Sequence, residues 1–259
     1  MSAAAINMSF AVKQEQRFRY FEVGDGEIMV LLHGLFGALS NFADLIRNFA
    51  TSYKVIVPLL PLYELEADKT TITDMVDYVS EFIRFKKLDK VHLIGNSLGG
   101  HIALLYYLKN AEHVKTLTLT GSSGLFENSL GDTYPRKSDK EYVSKKTAAT
   151  FYDPKYATQE LIDEVYEIVN NRERVVRMIR LAKSAIHNNL RDEIPSIKVP
   201  VCLIWGKNDI VTPPFVAEEF NRLLPNSELH MIDHCGHAPM MEQPEEFNRI
   251  LAGFLKREI

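Results

Sequence analysis

The chain has 259 residues, 46% of them hydrophobic, with a formal net charge of −4, a pI near 6.1 and a mean hydropathy of −0.12. That length accommodates one large α/β domain with a full core, and the mild acidity gives no electrostatic basis for binding nucleic acid or an anionic membrane. No apolar run reaches bilayer length, residues 1–16 lack the basic and apolar regions of a signal peptide, and Cys202 and Cys235 make no disulfide framework, so a cytoplasmic protein without a membrane span is expected.

Taken in order, RFRYFEV (17–23) and EIMVLLHG (27–34) read as strands around the turn Gly24-Asp25-Gly26, which suggests an early hairpin. YKVIVPLL (53–60) is a β-branched strand, and residues 71–87 place Ile72, Met75, Val76, Val79, Phe82 and Ile83 at helical spacing. VHLIG (91–95) is a strand that runs into Asn96-Ser97-Leu98-Gly99-Gly100, and HIALLYYL (101–108) continues as a helix. VKTLTLTG (114–121) is the next strand. Short apolar strands separated by helices imply a parallel sheet covered on both faces.

From 122 to 197 the rhythm changes to helices alone. One spans about 138–151, with Ser138 and Glu141 as a capping box and a turn at Asp153-Pro154 behind it. The next follows a Thr158 N-cap with Leu161, Ile162, Val165, Ile168 and Val169 on one face, and a third groups Val175, Met178, Ile179, Ala182 and Ile186. Strand and helix alternate again from VPVCLIWG (199–206) through a helix at 218–220, SELHMID (227–233) and a closing helix with Pro244 in its first turn. The expected organisation is a first core part at 1–121, an inserted helical lid at 122–197, and a second core part at 198–259.

Gly95-Asn96-Ser97-Leu98-Gly99 between a strand and a helix is a nucleophile elbow. A serine on such a turn is strained and needs small flanks. It also needs a neutral base whose tautomer an acid holds. Asp209 in LIWGKNDIVTPP and His237 in MIDHCGHAPMMEQPEEF follow later strands and complete the chain order Ser…Asp…His. The competitors are Asp233, which precedes the histidine too closely, and His234, which lacks the Gly236 and Pro239 setting. The backbone N–H groups of Leu98 and Leu35 are the expected oxyanion donors, and Phe36, Asn96 and Ala238 are candidate substrate-pocket residues. Cys235 has no base of its own. His33, His92 and His101 are read as structural or surface residues. Arg172, Arg174, Arg177, Arg180 and Lys183 form the solvated face of a lid helix, with a carboxylate-binding role for Arg177 or Arg180 as the alternative. Leu59, Leu60, Leu62 and Tyr63 pack beneath the lid or line the acyl side of the pocket.

LLHGLFG, GNSLGG, WGKND and CGHAPMMEQP occur in the order in which the α/β-hydrolase family carries them, and from about residue 20 to 255 the chain resembles that family. The resemblance implies an eight-stranded, mostly parallel sheet with a helical lid after the sixth strand, acting on esters and related small acyl compounds without metal or organic cofactor. Ser97 at the elbow sets the chain apart from the aspartate-nucleophile members. The elbow, the WG-x-x-D loop and the CGH tail also resemble the carbon–carbon hydrolases of meta-cleavage products. Their lid arginine, however, aligns with Val165, and their tryptophan after the catalytic histidine aligns with Ala238. The expectation is therefore a serine hydrolase of small to medium apolar carboxylic esters. The alternatives are a C–C hydrolase of meta-cleavage-type diketones and, from another class, a ligand receptor with little turnover.

Overall fold

The structure is a computed structural model that describes residues 11–37, 39–126 and 138–258. The stretch 1–10, read above for a signal peptide, and part of the expected lid, 127–137, lie outside the described residues. Eight strands form one sheet: β1 (Lys13–Glu15), β2 (Phe18–Val23), β3 (Glu27–Leu32), β4 (Tyr53–Pro58), β5 (Val91–Asn96), β6 (Val114–Thr120), β7 (Val201–Gly206) and β8 (Ser227–Ile232). Their order is β1-β2-β4-β3-β5-β6-β7-β8, antiparallel at β1–β2 and β2–β4 and parallel from β4 onward. The helices are α1 (Ala43–Phe49), α2 (Ile72–Phe85), α3 (Leu98–Lys109), α4 (Lys140–Ala148), α5 (Gln159–Asn170), α6 (Arg172–His187), α7 (Pro214–Leu223), α8 (Pro239–Glu242) and α9 (Pro244–Arg257).

The pleat sends alternate side chains to opposite faces of the sheet, and each face has its own core. Val30, Leu32, Leu117, Leu203 and Trp205 pack toward α2, α3 and α7. Met29, Leu31, Cys202 and Ile204 pack toward α1 and α9. Strands β5 and β7 are buried at every residue, as parallel strands covered on both faces must be. The helix expected at 71–87 forms as α2. Thr71 and Asp74 make its capping box, and the six apolar residues named for it are all buried.

Three local expectations are corrected. The first two long strands do not form a hairpin, because β4 lies between them and pairs antiparallel with β2 from Tyr20↔Pro58 to Val23↔Val55 and parallel with β3. Val55, Ile56 and Val57 are fully buried, so β4 needs a neighbour on each side, and β2 supplies the outer one. Helix α4 is capped by Asp139, which accepts from Tyr142 N at 3.0 Å, rather than by Ser138. A carboxylate is the stronger partner for the positive end of a helix. On α6, Met178, Leu181 and Ala185 are buried while Ile186 is 51% exposed. That helix packs against both α5 and α2, which rotates its buried side away from the stripe expected from spacing. Between β6 and β7 the described residues contain helices and no strand. Among the described residues no helix is long and apolar enough to cross a membrane.

Candidate active site

Strand β5 ends at Asn96, and Ser97 turns the chain into α3 with φ 55° and ψ −121°. A non-glycine residue in that region costs on the order of 1–3 kcal/mol, so its surroundings must hold it. Ser97 N donates to Thr120 O at 3.0 Å, and Ser97 O accepts from Gly100 N at 3.0 Å and Ser123 N at 3.2 Å. A β-carbon at position 99 would sit 2.0 Å from Leu32 O, so only glycine lets α3 approach β3 this closely. The turn is thus anchored to β6 and pressed against β3, with Ser97 between them.

The expected oxyanion loop passes beside this serine. A β-carbon on Gly34 would lie 3.1 Å from Ser97 Cβ and 3.6 Å from its Oγ, which brings the backbone leading to Leu35 alongside the hydroxyl. His33 fixes that backbone. Its Nδ1 donates to Gly34 O at 2.9 Å while its Nε2 accepts from Leu60 N at 3.0 Å. Both bonds together require a neutral imidazole, and complete burial lowers the His33 pKa accordingly. Tyr63 OH donates to Leu35 O at 2.8 Å. Leu59, Leu60, Leu62 and Tyr63 do not line the cavity; Leu60 and Tyr63 instead brace the loop that does.

Asp209 is 3% exposed in the loop after β7 and accepts four hydrogen bonds. Val211 N and Thr212 N donate to Oδ1 at 2.8 and 2.9 Å. Thr212 Oγ1 and His237 Nδ1 donate to Oδ2, each at 2.9 Å. With Nδ1 carrying the proton, Nε2 of His237 is left as an acceptor. The backbone of His237 is held on both sides, by its own N–H donating to Thr150 O at 2.9 Å and by Asn96 Nδ2 donating to its carbonyl at 3.2 Å. Gly121, at φ +49°, passes beneath the ring, where a β-carbon would stand 2.8 Å from Nδ1.

The competing residues lie elsewhere. Asp233 is exposed and pairs with Lys207 at 2.8 Å. The His234 ring meets Tyr152 edge-on at 5.1 Å. Cys235 is buried, and burial pushes its thiol pKa up, the reverse of what a nucleophile needs. His33, His92 and His101 are buried and structural. Arg177 is less solvated than expected: its side chain is 15% exposed and its Nε donates to Leu65 O at 2.6 Å. It lies outside the cavity lining, and Arg180 is exposed.

Ser97, Leu98, Leu35 and His237 share one cavity of about 200 Å³ under α4, α5 and α6. Phe36, Asn96 and Ala238 also line it, but the amide of Asn96 is engaged with Thr120 O and His237 O. Its far wall is built by Leu161, Val165, Leu181, Ala182 and Ala185. No Asp, Glu, Lys or Arg is among the described lining residues, and His237 is the one titratable side chain there.

Two site residues were missed by sequence reading. Thr212 has no motif of its own, though its place three residues after Asp209 is a common spacing for a side chain that bonds back to an acid. Glu242, the acid in CGHAPMMEQP, is 3% exposed and accepts from Gly236 N at 2.9 Å and Tyr152 N at 2.7 Å. Tyr156 OH donates to its backbone carbonyl at 2.9 Å. Burial raises its pKa against the opposing pull of those N–H groups. It joins the loop carrying His237 to the segment between α4 and α5.

Comparison with known proteins agrees with this architecture. A solved α/β hydrolase enzyme from the metagenome of sediments of the Mar Chica lagoon, Morocco, superposes with a TM-score of 0.80 and 45% identity, over 95% of this chain and 98% of that one. The 2-hydroxy-6-oxononadienedioate/2-hydroxy-6-oxononatrienedioate hydrolase of Burkholderia vietnamiensis is 29% identical, over 94% of this chain and 92% of its own length. Lipase 1 of Psychrobacter immobilis is 25% identical, over 92% of this chain and 80% of its own. The family model for the alpha/beta hydrolase fold matches residues 27–244, and the chain belongs to that family of hydrolases.

Proposed function

We propose that this hydrolase cleaves small to medium apolar carboxylic esters through an acyl-enzyme on Ser97. In this reading His237 Nε2 takes the Ser97 proton as Oγ attacks the carbonyl. Asp209 holds the imidazole in the required tautomer and stabilises the imidazolium, and the N–H groups of Leu35 and Leu98 receive the oxyanion, a contribution on the order of 3 kcal/mol per donor. His237 then protonates the leaving alcohol and activates water for deacylation. The helices of 122–197 act as a cap that supplies the apolar wall. The observation that carries the reading is the cavity itself, whose described lining offers a nucleophile and base but no charged side chain to meet a charged substrate.

Hydrolysis of a C–C bond in a meta-cleavage-type diketone is the second reading, and the names of the curated relatives favour it over the ester reading. Against it stands Val165, 1% exposed in the cavity wall, at the position where the resemblance to the meta-cleavage hydrolases places their lid arginine. A panel of p-nitrophenyl esters and a vinylogous diketone substrate, assayed with parent and Ser97→Ala, separates the two. Ester turnover at least 100-fold above diketone turnover, lost in the variant, supports the esterase. Diketone turnover alone transfers the assignment to the C–C hydrolase. Ligand-induced stabilisation without turnover points to the receptor.

A further inference from the structure

Far from the cavity, β7 and β8 bring together a thiol, an imidazole and a carboxylate that the proposed chemistry does not use. Cys202 on β7 stands opposite Glu228 on β8, the edge strand, and His230 projects from the same face two residues on. His230 Nε2 and Glu228 Oε1 are 2.9 Å apart, Cys202 Sγ and Glu228 Oε1 are 4.0 Å apart, and the three donor atoms lie within 4.8 Å of one another. Arg257, from the last turn of α9, holds the other carboxylate oxygen, Oε2, which leaves Oε1 facing the thiol and the imidazole.

We propose that Cys202, Glu228 and His230 form a peripheral site for one borderline-soft divalent cation of the zinc class, with a solvent molecule as fourth ligand. One sulfur, one nitrogen and one oxygen donor suit Zn²⁺, and the hard cations Mg²⁺ and Ca²⁺ bind thiolates poorly. Tetrahedral zinc with ordinary bond lengths separates its ligand atoms by roughly 3.4–3.6 Å. The two spacings to Glu228 Oε1, 2.9 and 4.0 Å, bracket that value, and Cys202 Sγ and the His230 ring nitrogen lie within 4.8 Å of each other. The His230 and Glu228 side chains are 36% and 34% exposed, so His230 has room to close onto an ion, while Glu228 is steadied by Arg257 and Cys202 is held in the core.

Burial raises the Cys202 thiol, so without metal the sulfur keeps its proton. Binding replaces the S–H bond with an S–metal bond and releases that proton to solvent, with no change of oxidation state. Thiolate and carboxylate together neutralise the dication; the nearby Arg257 guanidinium opposes the ion and limits the affinity. Cys202 precedes Gly206, the end of β7, by four residues, or roughly 13 Å. The ion therefore ties the edge strand to its neighbour rather than taking part in turnover.

The test is titration of chelator-dialysed protein with Co²⁺, a spectroscopic substitute for zinc. The expected result is one equivalent bound, with tetrahedral visible bands and a near-ultraviolet thiolate-to-cobalt charge-transfer band that Zn²⁺ abolishes. Cys202→Ser should lose that band, His230→Gln should bind at least tenfold more weakly, and affinity should rise about tenfold per pH unit near neutrality. A parent spectrum without the charge-transfer band overturns the site whatever the variants do. Equal affinity in Cys202→Ser also overturns it and marks a surface histidine binding adventitiously. None of these readouts depends on the substrate.

Discussion

Thr212→Val isolates a contact that no sequence motif announces. Valine matches threonine in shape and keeps the backbone N–H that donates to Asp209 Oδ1 at 2.9 Å, so the variant removes the Oγ1 hydrogen bond to Oδ2 together with the longer 3.4 Å contact of Oγ1 with His237 Nδ1. A hydrogen bond to a charged group contributes about 1.5–3 kcal/mol. Here Oδ2 keeps the His237 Nδ1–H as a partner, and Oδ1 keeps two backbone donors, so the carboxylate is not orphaned. The lower part of the range applies, about 1.5–2 kcal/mol, which for a chain of this size lowers Tm by roughly 3–8 °C. Catalysis should suffer less than from loss of the acid itself, because His237 still donates to Asp209. A fall in kcat/KM of about tenfold is expected, with the nucleophile still titratable by a fluorophosphonate. Thermal unfolding and ester kinetics on the same preparation check both figures. Tm unchanged within 1 °C would show that the hydroxyl does not support the buried carboxylate; a loss near 10⁴-fold would show that Thr212, not Asp209, holds the histidine.

Three further outcomes follow from the same geometry. Asp209→Asn places an amide N–H₂ against His237 Nδ1–H, favours the wrong tautomer, and should lower kcat by about 10⁴-fold; pre-steady-state acylation reads it, and a loss under tenfold would remove Asp209 from the proposed triad. Gly121→Ala puts a methyl 2.8 Å from His237 Nδ1 at φ +49°. A displacement of the ring by about 1 Å corresponds to roughly 100-fold in kcat/KM, and activity within threefold of the parent in a folded variant contradicts that packing. His101, buried behind the elbow with Nε2 donating to Asn188 O at 2.8 Å, has its pKa lowered to about 4 by desolvation. The unfolded chain takes up the proton first, so the stability held by the neutral ring above pH 6.5 declines as pH falls toward 4, by about 3 kcal/mol in total. His101→Gln should flatten that part of the stability curve measured by urea unfolding, and an unchanged slope would refute the linkage.

The elbow and the strand–helix rhythm were legible because they are local. A serine at positive φ between glycines must be written into adjacent residues, and so must a fully buried strand. The segments holding Asp209 and His237 were legible for the same reason, each being a turn signal after an apolar run. The pairing of β2 with β4 was not legible. The Gly24-Asp25-Gly26 turn is compatible with a hairpin, and what excludes it is the demand of a strand 30 residues later for a second neighbour. The α6 face escaped for a related reason, since spacing gives one stripe and this helix has two partners. Arg177 looked solvated from its neighbours in sequence, whereas a backbone carbonyl far along the chain, Leu65 O, takes up its Nε–H.

Within the site the division is equally physical. Residue type and local backbone alone determined that a serine sits on a strained turn at a strand end, with an acid and a histidine following later strands, because those properties depend on neighbours one to five positions away. The tertiary structure alone decided what surrounds them. It made Asn96, which lines the cavity, a brace for His237 as well, drew Thr212 onto Asp209, set Glu242 between the histidine loop and the segment joining α4 and α5, and lined the cavity, among the described residues, with side chains free of Asp, Glu, Lys and Arg. Each of those outcomes joins groups from different elements, and a hydrogen bond or a cavity wall across elements has no periodicity for a sequence to display.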